Sequence, residues 1–161
     1  MDVITTLDGS STIVSEHFPN QLYHSDRGAI GEALHTYIQF LQDGDNVLEF
    51  GFGSGLNALL SLKTGLNLNY TTLEHYPIDL GTAQKLTFYS PELGQLHTAP
   101  WEKEVVVNPN FLFTKHNLDI EQFSKLYSSK LATRSYDRIF FDAFAPDIVP
   151  NQWSEEVFSA L

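Results

Sequence analysis

The first part of the chain shows two kinds of apolar spacing, one typical of strands and one typical of a helix. Segments 3–6 and 11–14 flank the turn dipeptide Asp8-Gly9, which predicts a small β-hairpin. A helical spacing of apolar residues follows and ends at Asp43-Gly44. The apolar positions of this predicted helix are Ile30, Ala33, Leu34, Tyr37, Ile38 and Leu41.

From residue 47 onward, apolar runs predict alternating strands and helices. A buried strand at 47–50 leads through a glycine-rich turn into a helix that starts at Leu56 and ends at Gly65. A second strand over 69–73 ends at Glu74. Pro77 is expected to open a helix that runs to about residue 88, because proline suits a first helical turn. Segment 90–101, rich in proline and glycine, is expected to be irregular.

The second half continues the same alternation. Runs 104–107 and 111–115 are β-like and are joined by the strong turn Asn108-Pro109-Asn110. A helix is expected over 120–127, and a fourth core strand over 136–141. A last helix begins at Asn151 and runs toward residue 161. The order of elements predicts an α/β fold.

Composition then excludes several classes of protein. The 161 residues suffice for one domain with a core, contain no cysteine, and carry a net charge of −11. Disulfides and thiolate metal sites are therefore excluded, and a cytoplasmic location is expected. No apolar run is long enough to span a membrane, and no secretory signal is visible. The acidic charge argues against a broad nonspecific nucleic-acid surface.

Two local features have ordinary interpretations. Basic residues cluster late in the chain and are expected to form a solvated face more often than a binding patch. These residues are Lys125, Lys130, Arg134 and Arg138. His35 is expected to be packed or solvated, because no second and third metal ligand follow at useful spacing.

The glycine-rich turn has the spacing Glu49-x-Gly51-x-Gly53-x-Gly55. Glycine permits positive φ and close approach of the backbone to a ligand. The pattern differs from the dinucleotide fingerprint, since Leu56 stands where the last glycine would be. It suits S-adenosylmethionine (SAM) better, because SAM has no pyrophosphate. A purely structural turn is the alternative.

Acidic residues follow the neighbouring strands. Glu74 lies about 20 residues after the glycines, where a carboxylate can accept from both ribose hydroxyls. Asp119 is placed to accept from an adenine amino group, with Asn117 as a competing candidate, or else Asp119 is a helix N-cap. Asp142 and Phe144 follow the fourth strand. Asp142 and Phe144 should share one rim of the sheet with Gly51, Glu74 and Asp119, since ligands of such sheets lie outside the carboxyl ends of the strands.

Three segments together resemble a known family. Residues 23–37, the run from Leu48 to Asn57, and the run from Phe141 to Pro146 with Trp153 are similar to the MnmC-type (DUF752-like) tRNA methyltransferases. The resemblance spans nearly the whole chain and is to the stand-alone form, without an oxidase half. It implies a SAM-dependent enzyme that methylates the 5-aminomethyl group of the wobble uridine of tRNA, forming 5-methylaminomethyl-2-thiouridine.

The chemistry of methyl transfer gives roles to the residues on this rim. Asp142 is the candidate catalytic residue, accepting a hydrogen bond and a proton from the substrate ammonium, and Phe144 and Tyr23 are the candidate substrate-binding residues. No metal is expected. The candidate cofactor-binding residues are Glu49, Gly51, Gly53, Gly55, Asn57, Glu74, Asp119, Asp142 and Tyr23.

The expected fold is a Rossmann-like SAM-methyltransferase sheet, truncated after its fourth core strand, because family members continue for several more strands. The chain is expected to form one domain, with the hairpin and first helix in 1–44 and an incomplete core in 45–161. The fourth strand should then be an open apolar edge with Arg138 as its only charge, which predicts poor solubility or self-association.

Two alternative functions stay open. Acidic residues around the rim also suit a SAM-dependent enzyme that acts on a small amine or polyamine. An incomplete sheet suits a non-catalytic SAM-binding or interaction module.

Overall fold

The computed structural model describes residues 1–130 and 135–159. Arg134, one member of the predicted basic cluster, and the end of the predicted last helix lie outside the described residues. The described strands are β1 (Val3–Thr5), β2 (Ser11–Ile13), β3 (Asn46–Phe50), β4 (Leu68–Leu73), β5 (Val105–Asn108), β6 (Phe111–His116) and β7 (Arg138–Phe141). The described α-helices are α1 (Ala29–Thr36), α2 (Leu56–Lys63), α3 (Leu80–Ala83), α4 (Pro91–Thr98), α5 (Ile120–Lys130) and α6 (Glu155–Ser159).

Five strands form one sheet in the order β5-β6-β4-β3-β7. Strands β6, β4, β3 and β7 run parallel, and β5 pairs antiparallel with β6 through the predicted Asn108-Pro109-Asn110 turn. The register sets Phe50 beside Leu73 on one side and beside Phe141 on the other. The α/β prediction is confirmed, since the sheet is mostly parallel and helices cover it.

Both faces of the sheet are buried. On one face Val47 and Phe140 pack with Leu59 of α2 and Leu96 of α4. On the other face Leu48, Phe50 and Leu73 pack with Ile120 of α5 and Val157 of α6. Burial on two faces explains why the strands are almost continuous apolar runs.

The first 44 residues form the predicted hairpin and helix. β1 and β2 pair antiparallel around Asp8-Gly9, and Ile13 is fully buried in the main core. Helix α1 is shorter than predicted, because it ends at Thr36 and a 3-10 turn over Ile38–Phe40 replaces its last part. The packing joins this part to the sheet, and the division at residue 44 stays a prediction.

Two predictions between residues 77 and 101 are wrong. Pro77 does not open a long helix, since α3 begins only at Leu80 and ends at Ala83. Its N-cap is Asp79, whose side chain accepts a hydrogen bond from the Thr82 N–H. Segment 90–101 is not irregular, since α4 occupies Pro91–Thr98. Ser90 caps α4 by accepting from the Leu93 N–H, and Pro91 stands at the first turn, where proline is favoured.

Strands β7 and β5 form the two edges of the sheet. β7 forms one edge, as predicted, and its Ile139 is 38% exposed. Arg138 donates to the Phe40 carbonyl at 2.9 Å and pairs with Asp45 at 3.2 Å, so its charge lies against the 3-10 turn and the residue before β3. β5 forms the other edge.

In the described part of the chain, no helix has the length and apolar character needed to cross a bilayer.

Candidate active site

A cavity of about 520 Å³ opens at the carboxyl ends of β3, β4 and β7. The segment between the hairpin and α1 forms its opposite wall. Of the predicted site residues, Tyr23, Gly51, Gly53, Glu74, Asp119, Asp142 and Phe144 line this cavity. The structure therefore brings together residues that are far apart in sequence.

The turn after β3 lies against the end of β7. Gly51 has φ +91°, and a Cβ on it would lie 2.8 Å from the carbonyl oxygen of Asp142. Its N–H and that of Phe52 both donate to the Leu73 carbonyl at 3.0 Å, which folds the turn back over β4. Only glycine fits this conformation and this close contact.

Glu74 is held rigidly at the end of β4. Its Oε2 accepts from the Gly53 N–H at 2.7 Å, and its Oε1 accepts from the Tyr76 N–H at 2.7 Å. Each carboxylate oxygen retains a lone pair for a further donor. Gly53 and Glu74, which lie 21 positions apart in the sequence, are thus in direct contact, and Glu74 lines the cavity.

Asp142 lies between the cavity and the core. Its Oδ2 accepts from the Asn57 side-chain amide at 2.8 Å, and the Tyr37 hydroxyl lies 3.4 Å from its Oδ1. Burial raises the pKa of Asp142 to about 6, with the negative charge of Glu32 adding to the rise. The hydrogen bonds from Asn57 and Tyr37 favour the charged form and limit that rise.

Asp119 serves as a helix cap and also lines the cavity. Its Oδ1 accepts from the Gln122 N–H at 2.7 Å at the start of α5. The structure therefore supports the N-cap interpretation and leaves Oδ2 for a ligand. The backbone N–H of Asn117, the competing candidate, donates to Glu102 at 2.9 Å, and Asn117 is absent from the cavity wall.

Three predicted cofactor residues lie behind the wall. Gly55, at φ +77°, caps α2 and packs against Leu93 and His97. Asn57 holds Asp142 from the core side. Glu49 is fully buried and does not line the cavity, so a direct contact with a cofactor does not fit its position.

Glu49 belongs instead to a buried polar cluster. The polar side chains of Thr72, Asn57 and Tyr70 surround its carboxyl group and favour the charged form, which opposes the effect of burial. Burial raises the pKa of Glu49 to about 8, and the nearby charge of Asp142 acts in the same direction. The strand alternation explains this position, because Glu49 shares a face with core residue Val47.

Aromatic side chains form one wall of the cavity. Tyr23 meets Phe144 edge-on, with ring centroids 5.8 Å apart, and Phe18 lies 4.7 Å from Phe144. His17 stacks on Tyr76 at 4.3 Å. Sequence reasoning found Tyr23 and Phe144 but missed the other three, because their stacking arises from contacts between distant segments.

His24 and Ser54 were also missed. The imidazole Nε2 of His24 lies 2.7 Å from the Ser54 hydroxyl, in the glycine-rich turn. Burial lowers the pKa of His24 to about 4, so the ring is neutral near pH 7. The hydrogen bond between His24 and Ser54 joins segment 23–25 to the turn after β3.

The charge of the cavity is acidic. Among the described residues that line it, no lysine or arginine occurs. The acidic side chains on its wall are Asp26, Glu32, Glu74, Asp119 and Asp142. No group of three or more potential His, Asp or Glu metal ligands is found in the described ranges. The cavity therefore favours a cationic ligand held by carboxylates.

Comparison with known proteins gives a consistent set of relatives. Three are named bifunctional protein MnmC of tRNA 5-methylaminomethyl-2-thiouridine biosynthesis. The protein of Pseudomonas fluorescens is 27% identical over 88% of this chain and 25% of its own length. That of Maricaulis maris is 31% identical over 70% and 21%, and that of Leptospira interrogans is 27% identical over 97% and 27%. The chain thus spans about a quarter of the length of these curated relatives. No family model matches it.

Proposed function

The chain is a relative of the MnmC proteins, as its motifs predicted, and we propose that it is a SAM-dependent methyltransferase. The proposed substrate is the 5-aminomethyl group of the wobble uridine in tRNA, and the proposed location is the cytoplasm. The relatives are bifunctional by name, and this chain spans about a quarter of their length. The cavity described above is what supports methyl transfer as the activity of this part.

The observation that supports this proposal most strongly is the meeting of Gly51 and Asp142. The chain passes from β3 to β4 in one direction along the sheet and later returns to place β7 on the other side of β3. Ligands of open α/β sheets bind at such a switch point. The glycine turn and the acid flank it, which supports the Rossmann-like SAM-methyltransferase class.

The residues present fit the proposed cofactor. Gly51 and Gly53 line the cavity and, having no side chains, leave room for a ligand close to the backbone. Glu74 would accept the two ribose hydroxyls, and the free oxygen of Asp119 would accept the adenine amino group. SAM itself would supply a methyl group on a sulfonium centre. Tyr23, beside Gly53, would close the cavity over it.

Asp142 is suited to receive a proton. With a pKa of about 6, its carboxyl group is mostly ionised at pH 7 and above. A primary ammonium has no lone pair, so it must lose a proton before its nitrogen can react. Asp142 would accept that proton, and its fixed position between Asn57 and Tyr37 would orient the amine.

The aromatic wall provides a platform for the substrate base. Phe144 and Phe18 are in contact, and Tyr23 braces Phe144 from the side. Stacking of a base on aromatic rings contributes about 1–3 kcal/mol and suits an unpaired nucleotide of an anticodon loop. The amine attached to the uracil would then reach Asp142.

The acidic lining favours a second candidate, a small amine or polyamine as the methyl acceptor. Five carboxylates and no described lysine or arginine line the cavity, which suits a polycation better than a phosphate backbone. Outside the cavity, the tRNA backbone would need a basic surface, and part of the predicted basic cluster lies beyond the described residues.

One experiment separates the candidates. Purified protein is incubated with SAM labelled in its methyl group and with tRNA carrying 5-aminomethyl-2-thiouridine, unmodified tRNA, or a polyamine panel. Label in the aminomethyl tRNA alone supports the first candidate, and label in polyamines supports the second. Calorimetric binding of SAM without transfer to either supports the non-catalytic SAM-binding module.

A further inference from the structure

A second, smaller cavity lies on the other side of Asp142, between this residue and helix α1. Its volume is about 40 Å³. A single water needs roughly 10–15 Å³ of such space and two to four polar partners. The cavity is lined by His24, Glu32, Ala33, Thr36, Tyr37, Asn57 and Asp142.

Glu32 connects this cavity to solvent. It stands in the first turn of α1, its side chain is exposed, and it lines both cavities together with His24 and Asp142. Its Oε2 accepts from the Ser25 N–H at 2.9 Å, which fixes the carboxylate toward the protein. Its charge acts on Asp142, His24 and Tyr37, raising the pKa of each.

We propose that the small cavity is a proton-release route, in which one water joins the buried carboxyl group of Asp142 to the exposed carboxylate of Glu32. This inference rests on the proposed function, in which Asp142 receives a proton from the substrate. Substrate and cofactor in the large cavity would cover the front of Asp142 and keep bulk water away from it. The small cavity, which is also lined by Ala33 and Thr36 of α1, would then be the remaining way from Asp142 to Glu32.

The proton balance is simple. An N–H bond of the ammonium breaks, its electron pair stays on nitrogen, and an O–H bond forms on Asp142. The Asp142 O–H bond then breaks as its proton passes to the water, which gives one of its own protons to Glu32. Glu32 releases that proton to solvent, and Asp142 is again ionised.

The other groups around Asp142 do not provide this route. His24 is neutral near pH 7, because burial lowers its pKa to about 4, and its Nε2 is engaged with Ser54. Burial raises the pKa of Tyr37 well above its usual range, so its hydroxyl stays protonated and donates to the Phe141 carbonyl at 3.1 Å. Glu49, on the core side, is fully buried and without a path to solvent. Among the described residues of the small cavity, Glu32 is the only exposed carboxylate.

The first test uses the free protein and needs no activity. Carboxyl carbon NMR follows the titration of Asp142 in the wild type, in Glu32→Gln and in Glu92→Gln. Glu92 is a matched control, because it is also an exposed acid in the first turn of a helix, α4, but lies away from both cavities. Loss of the Glu32 charge should lower the pKa of Asp142 by about 0.5 unit or more. An unchanged Asp142 titration in Glu32→Gln would overturn the proposal.

The second test measures turnover on aminomethyl tRNA. Glu32→Gln keeps the oxygen that accepts from Ser25 and should lower kcat about tenfold, since proton removal is slowed. Added imidazole, a small proton carrier, should restore much of the lost rate. Ala33→Val, which fills the cavity without a charge change, should also lower kcat. Wild-type kcat in both variants would overturn the route.

The two tests separate failure of this inference from failure of the proposed function. If the wild type transfers no methyl group to tRNA, the proposed substrate is wrong, while the Asp142 titration still reports whether Glu32 shares its cavity. If the wild type is active and Glu32→Gln matches it in rate and in the Asp142 titration, only the proton route is wrong.

Discussion

The side-chain amide of Asn57 donates to Oδ2 of Asp142 at 2.8 Å, joining the first turn of α2 to the residue that follows β7. This hydrogen bond favours the ionised carboxylate, and it opposes the burial that raises the pKa of Asp142 to about 6. Asn57 therefore helps to decide whether Asp142 is ionised.

Removing the amide should raise the pKa of Asp142 further. In Asn57→Leu the carboxylate loses a hydrogen bond to a charged group, worth about 1.5–3 kcal/mol, which corresponds to an upward shift of about 1–2 pH units. The acidic limb of the pH profile of kcat/KM should move up with it. Asn69→Leu, at the opposite end of the sheet, is the control. An acidic limb that stays in place would contradict the role of Asn57.

Glu74→Ala should weaken SAM binding more than tenfold. The substitution removes both carboxylate acceptors and also releases the Gly53 and Tyr76 N–H groups that they hold. Glu74→Gln should lose less, since one carbonyl oxygen remains. Calorimetry with S-adenosylhomocysteine measures the effect, and Glu92→Ala is the control. Unchanged affinity in Glu74→Ala would remove Glu74 from the site.

Asp142→Asn should fold normally and turn over aminomethyl tRNA about 100-fold more slowly or worse. Its amide oxygen can still accept from Asn57, so the structure is retained, but it cannot accept the substrate proton. Circular dichroism checks the fold, and methyl transfer is measured from pH 7 to 9. Near-wild-type rates across that range would show that Asp142 does not assist the amine.

Glu49 should make stability depend on pH. Its pKa is raised from 4.5 to about 8, so between these values the native state holds a proton that the unfolded state has released. The free energy of unfolding should then fall as pH rises through this window, by up to about 1.4 kcal/mol per pH unit from this group alone.

Glu49→Gln isolates that contribution. The amide stays neutral at every pH, so the difference in urea stability between the wild type and Glu49→Gln should change steadily from pH 5 to 8, to the disadvantage of the wild type. Glu92→Gln, which alters an exposed acid, should not produce such a trend. Parallel curves for the wild type and Glu49→Gln would show that Glu49 ionises normally.

Self-association through β7 stays a prediction, and the two sheet edges allow a matched test. Ile139 on β7 is 38% exposed and Val106 on β5 is 67% exposed. If chains pair through β7, Ile139→Lys should reduce concentration-dependent sedimentation, because a lysine disfavours edge pairing. Val106→Lys should leave it unchanged. A monomeric wild type would remove the prediction altogether.

The sequence predicted the rim of the site well, for a physical reason. Glycines with positive φ, an acid at the end of β4 and an acid after β7 are local signals, and parallel strands bring their ends together. Gly51, Glu74 and Asp142 could therefore be placed on one cavity without a structure.

Other positions needed tertiary information or closer attention to local signals. His17 and Phe18 join the cavity only because the segment before α1 folds over the sheet. Glu49 was assigned to the cofactor from its motif, although strand alternation with Val47 already pointed it into the core. The proline and glycine of segment 90–101 indicate an irregular segment, whereas Ser90, whose side chain caps α4, is the local signal of the helix.

The contact between Gly51 and the Asp142 carbonyl has a consequence for how relatives of this chain can be recognised. A methyl group at position 51 would force the ends of β3 and β7 apart whichever residue stands at position 142, because the contact is with a backbone carbonyl. The requirement for glycine therefore falls on position 51 alone. Relatives that share the packing of β3 against β7 should therefore keep this glycine even where the residue after β7 and its chemistry differ.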